Sequence, residues 1–125
     1  MQGGAGAGDL VGSARDVKGV KLIAAEIDDA DEVQLRTLGE QLKQKLGSGV
    51  VVLGSRTDEK AMLVVQVSAD LTAKVSAGKL VGELAPLVGG RGGGKPDLAQ
   101  AGGKEPAKLL EALAAAEAAL AKLLG

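Results

Sequence analysis

Phenylalanine, tyrosine and tryptophan are all missing from this chain, and so are histidine and cysteine. Each absence removes chemistry. Without Cys there is no disulfide, and without Cys or His there is no zinc site built from the usual nitrogen and sulfur ligands. Ser-His and Cys-His nucleophilic pairs are excluded, along with the commonest general base. Without aromatic rings the base-stacking platform of many RNA-reading modules is closed, and Arg guanidinium planes are the only stacking surfaces left. An oxygen-only site for Mg²⁺ or Ca²⁺ is the remaining metal chemistry. No basic segment precedes an apolar run at the start, and no apolar stretch approaches the ~20 residues of a membrane span. The lack of cysteine suits a reducing compartment and fits a cytoplasmic protein.

What is present suffices for one domain. The 125 residues are 46% hydrophobic, all of it aliphatic, Ala or Met. A core of Val, Leu and Ile gains about 1.5–3 kcal/mol for each side chain buried. Net charge is −1, unevenly spread. Residues 1–70 carry 8 basic and 11 acidic side chains, whereas 71–108 carry 6 basic (Lys74, Lys79, Arg91, Lys95, Lys104, Lys108) and 3 acidic (Glu83, Asp97, Glu105). A weak overall charge still permits a polyanion partner if the cations share a face.

Periodicity orders the chain. Residues 1–19 are rich in Gly, Ala and Asp without a clean apolar period, and read as a mobile tail or the remnant of a preceding segment. The globular pattern runs from 20 to 125. Val20–Ile27 predicts a buried strand, and Asp28, Asp29 and Asp31 supply turn and cap residues. Leu35, Leu38, Leu42 and Leu46 make one helical stripe, closed by Gly47. Val50–Leu53 and Ala61–Val67 predict two further strands, mutually antiparallel, with a polar loop at 54–59 and a hairpin tip at Asp58-Glu59. A strand–helix–strand start implies a parallel first pair. Ala77–Val88 predicts a helix with Ser76 as cap and Pro86 weakening its last turn. Leu98–Ala101 predicts a short edge strand. Pro106 suits the start of a last helix with Leu109, Leu113, Leu120 and Leu123 as its stripe, and Gly125 closes the chain. The predicted class is α/β, a two-layer domain with a small mixed sheet and helices packed on it.

One segment stands apart. Gly89-Gly90-Arg91-Gly92-Gly93-Gly94-Lys95-Pro96 sets five glycines around two cations, and Gly102-Gly103 follows. Glycine exposes its backbone and loses the most entropy on ordering, so such a run implies close approach by a visitor, here an anion. A glycine C-cap with a flexible connector accounts for two of the five. Gly89 and Gly94-Lys95 fit the spacing G-x-x-x-x-G-K, but Pro96 stands where a phosphate-binding P-loop needs Ser or Thr. The loop also leaves a helix, where a P-loop leaves a strand. The dinucleotide pattern G-x-G-x-x-G fails at Lys95. Asp28, Asp29, Asp31 and Glu32 lack the Gly and terminal Glu of an EF-hand loop, and a turn with a helix cap accounts for them. Gln100, polar among Leu98, Ala99 and Ala101, alternates to the solvent side or toward a ligand.

The segment Gly89–Gly103, with Lys95-Pro96-Asp97-Leu98-Ala99-Gln100-Ala101, resembles the signature near the C-terminus of bacterial alanyl-tRNA synthetases, GG-x-GGG-[RK]-PD-[ML]-AQAGG. Asp70-Leu71-Thr72 and Lys74-Val75-x-Ala77-Gly78-x-Leu80-Val81 are similar to a second segment of that family. The resemblance covers roughly residues 20–110. It implies a DHHA1-like domain that contacts the tRNA elbow and supports aminoacylation and editing by the parent enzyme. It implies no catalytic residue in this stretch, no metal and no cofactor. The Gly-Gly-His motif of related DHH phosphoesterases has no His here. The implied contacts are Arg91 and Lys95, the backbones of Gly92, Gly93 and Gly94, then Lys74, Lys79 and Gln100. The implied partners are tRNA-Ala and the other domains of the synthetase. The alternative is a protein-interaction or homodimerisation module using the Ala/Leu-rich helix 106–124.

Overall fold

The computed structural model describes residues 14–27, 30–57 and 59–124. The expectations for residues 1–13, Asp28, Asp29, Asp58 and Gly125 lie outside that range. In chain order the elements are β1 (Arg15–Val17), β2 (Val20–Glu26), α1 (Glu32–Leu46), β3 (Val50–Arg56), β4 (Ala61–Val67), α2 (Ala77–Leu84), β5 (Gly90–Gly94), β6 (Leu98–Gly103) and α3 (Leu109–Leu124). Short 3₁₀ turns at Ala69–Leu71, Ala85–Val88 and Pro106–Lys108 join them.

The six strands form one mixed sheet in the order β1-β2-β3-β4-β6-β5. As expected, β2 and β3 are parallel and β3 and β4 antiparallel. The expected mixed sheet with helices on it is the observed architecture. Its helices occupy both faces, which adds a third layer to the two predicted. Ile23, Leu35, Leu42, Val51, Leu53 and Val64 form the smaller core under α1. The larger core holds α2 and α3 against the other face, where Leu80, Leu84, Leu109 and Leu120 are fully buried.

Local chemistry explains the element ends. Asp31 caps α1: its Oδ1 accepts from Gln34 N at 2.8 Å, and Gln34 Oε1 accepts from Asp31 N at 2.9 Å. This capping box satisfies two donors that a helix start leaves open. Asp31→Ala is expected to cost about 1 kcal/mol, read as a lower midpoint in urea at unchanged slope. Gly47 ends the helix at φ 75°. Gln66, buried on β4, donates from Nε2 to Arg36 O at 2.8 Å and pins α1 to the sheet. At Pro86 the missing N–H tightens α2 into the 3₁₀ turn, which closes on Gly89 at φ 71°. Ser76 occupies the cap position of α2 without a side-chain hydrogen bond.

Four expectations need correction. Arg15–Val17, placed in the tail, pair with β2 through a turn at Lys18 and Gly19, both at positive φ. Gly54–Arg56, expected as loop, continue β3 because β4 supplies their partners. Leu98–Ala101, expected at the edge, is part of β6, which lies inside the sheet. The glycine segment, expected as a loop, is the strand β5 at that edge. Glycine is depleted in strands for want of a side chain to pack, so composition hid it.

Candidate nucleic-acid interface

Among the described residues β5 pairs with β6 on one side only, which leaves the other side as the edge of the sheet. Its register sets Gly90, Gly92 and Gly94 opposite Gly103, Ala101 and Ala99. Ala99 and Ala101 belong to the larger core, so these three glycines face α2. A Cβ on Gly90 would fall on Gly102 O, one on Gly92 would lie 2.6 Å from Gln100 O, and one on Gly94 2.6 Å from Leu98 O. In turn, α2 comes close because Gly78 puts only a hydrogen toward Gly94 O. Packing therefore requires Gly90, Gly92 and Gly94, and left-handed geometry requires Gly89. The fold itself thus accounts for four of the five glycines, one as a cap and three through packing, where a cap and connector was expected to account for two. Gly93 is the exception: a Cβ there would meet nothing within 4 Å.

The other face of the hairpin carries Arg91 and Gln100. Arg91 stands opposite Gly102 and Gly93 opposite Gln100. Across β6, Gly102 and Gln100 face Met62 and Val64 of β4. Val64 lies in the core beneath α1, so Arg91, Gly93 and Gln100 share the α1 face. Between the start of α1 and the hairpin a 570 Å³ trough opens, lined by Glu32, Lys60, Met62, Arg91, Gln100 and Lys104 among others. Gln100, foreseen as facing solvent or a ligand, is half-buried there, with Oε1 buried and unpartnered among the described residues.

The predicted cations divide. Arg91 reaches the trough. Lys95 sits exposed in the turn joining β5 to β6, closed by its own N–H to Leu98 O at 2.8 Å. Among the described residues neither has a carboxylate within ion-pair distance; the pairs present are Arg15–Glu117, Lys43–Glu40, Arg56–Glu26, Lys108–Glu111 and Lys122–Glu83. Lys79 rides on α2, against the opposite face, and Lys74 lies in the segment leading to it. Near Lys74, Asp70 accepts from Ser48 Oγ at 2.6 Å. That bond and one with Ser68 hold the Asp70 carboxyl below its ordinary range, and Lys74 adds a smaller pull. Lys60 and Lys104 were not singled out as site residues. Their signal was the antiparallel pairing of β4 with β6, which sequence could not register.

These features define a small α/β domain that presents bare backbone between cations at one edge of a mixed sheet. Residues 19–122 match the model of the DHHA1 domain. The chain belongs to the DHHA1 domain family. It is 51% identical over 109 residues to an alanine–tRNA ligase of Idiomarina loihiensis, covering 87% of this chain and 13% of that protein. With an alanine–tRNA ligase of Anaeromyxobacter dehalogenans it shares 55% over 106 residues, covering 85% of this chain and 12% of that one. The solved C-Ala domain from Aquifex aeolicus alanyl-tRNA synthetase superposes with a TM-score of 0.79 at 32% identity, covering 86% of this chain and 97% of that domain. The chain thus spans 12–13% of the length of the curated relatives it matches, and almost all of the C-Ala domain. No described helix is long and apolar enough to cross a membrane.

Proposed function

We propose that this domain is a non-catalytic tRNA-binding part of an alanyl-tRNA synthetase, docking on the tRNA elbow and supporting aminoacylation and editing in the cytoplasm. The observation that carries the reading is an exposed glycine edge strand that holds Arg91 and leads into Lys95, neither with a carboxylate within ion-pair distance among the described residues, in a chain that covers 97% of the C-Ala domain it matches. Arg91 and Lys95 meet phosphates. The bare peptide at Gly93 lets a flat base pair or ribose come against the backbone, with Gln100 beside it. So few charges give weak affinity in isolation, about 10⁻⁴–10⁻⁶ M, and a tether to the remaining domains of the synthetase raises the effective concentration. The alternative, association through α3, has less surface to use: Leu109, Ala112, Leu113, Ala116 and Leu120 are already buried in the domain's own core.

The test is binding to intact tRNA and to a minihelix lacking the elbow, over a salt series. Tighter binding to intact tRNA is expected. Arg91→Ala with Lys95→Ala should lower the slope of log affinity on log salt by about 2 and leave the fold intact. Equal affinity for both RNAs, or an unchanged slope in the double variant, rejects the reading.

A further inference from the structure

The basic residues near the hairpin fall on two sides of the sheet. Lys60 and Lys104 stand immediately beyond the last pair of the β4–β6 ladder, Ala61 and Gly103. Two ammonium-bearing residues thus follow one another off the same end of the paired strands, where like charges repel. Strand alternation carries both to the face that holds Arg91, and all three line the trough. Among the described residues none of the three has a carboxylate within ion-pair distance. Among the described residues Glu32, at the start of α1, is the only acidic one in the trough lining. Lys79 belongs to the helix over the opposite face and Lys74 to the segment leading into that helix, and neither is among the residues lining the trough.

We propose that the sugar–phosphate backbone of the bound RNA crosses the α1 face, its phosphates taken by Lys60, Arg91 and Lys104, with Lys74 and Lys79 outside the contact. This inference rests on the tRNA-binding reading and assigns the side of the sheet on which binding occurs. The three cations repel one another in the free protein. A phosphate between them relieves that repulsion while counterions leave the RNA. Glu32 works against the same phosphates.

Two double variants that remove equal charge separate this geometry from diffuse attraction. Binding of the whole chain to intact tRNA is measured over a salt series. Lys60→Ala with Lys104→Ala should weaken binding about tenfold or more and lower the salt slope by about 2. Lys74→Ala with Lys79→Ala should leave both nearly unchanged. Glu32→Gln should tighten binding. All five positions are exposed, and circular dichroism melts verify that each variant folds. An equal loss in the two double variants, or a larger one for Lys74 and Lys79, overturns the face assignment while tRNA binding itself stands. Failure of the unaltered chain to bind tRNA removes both.

Discussion

Gly103→Val is expected to destabilise the domain by on the order of 3 kcal/mol, whereas Gly93→Val leaves stability within about 0.5 kcal/mol. The two glycines belong to paired strands and differ in what surrounds them. A Cβ at Gly103 would fall on the Val88 carbonyl oxygen and within 2.7 Å of its carbon. Neither side can retreat. Val88 is fully buried and its carbonyl accepts from Glu105 N at 2.9 Å, while Gly103 is held in register with Ala61 and Gly90. At Gly93 a valine points into open space on the α1 face. It also suits a strand better than glycine does. Its expected effect is on binding, because the added methyl groups stand where the proposed docking brings RNA against the peptide plane. Urea midpoints and tRNA affinity, measured on both variants, separate the roles. A Gly103→Val protein as stable as the parent contradicts the hairpin packing. A Gly93→Val protein that binds tRNA undiminished contradicts the docking surface.

Leu42→Ala is expected to cost about 3 kcal/mol, within the 2–5 kcal/mol range of buried leucine truncations. Leu42 is fully buried, and the core beneath α1 is small: Leu35 and Leu42 are the only side chains of the helix buried completely. A domain of this size has about 5–15 kcal/mol in total, so the loss is a large share. It also loosens the helix whose first residue, Glu32, lines the trough. Leu38→Ala, at a half-buried position of the same stripe, should cost less. Equal urea midpoints for the two variants would contradict the placement of α1.

The legibility of this chain follows the range of the forces involved. The helical stripe Leu35, Leu38, Leu42 and Leu46 and its capping aspartate express contacts within a few residues, and they were read directly. The strands of Val and Leu were likewise legible, since continuous burial leaves continuous hydrophobicity. The glycine strand was not, because its pairing partner β6 and the helix above it arrive from elsewhere in the chain. The same holds for Gly54–Arg56, whose polar composition gave no sign that β4 would extend alongside. Lys74 and Lys79 were grouped with Arg91 because they are near it in sequence. Lys79 rides on α2, across the sheet from the face of Arg91, whereas Lys60 and Lys104 line the same trough as Arg91.

Composition alone decided what this protein lacks the groups to do: disulfide bonding, zinc coordination by Cys or His, histidine-based catalysis and stacking on aromatic rings. Local pattern alone decided where its helices and central strands lie, because propensity, capping and periodicity act between near neighbours. The tertiary structure decided which glycines the packing requires, and which cations share a side. Both depend on strand register and on the face each helix covers, and contacts between distant parts of the chain set those.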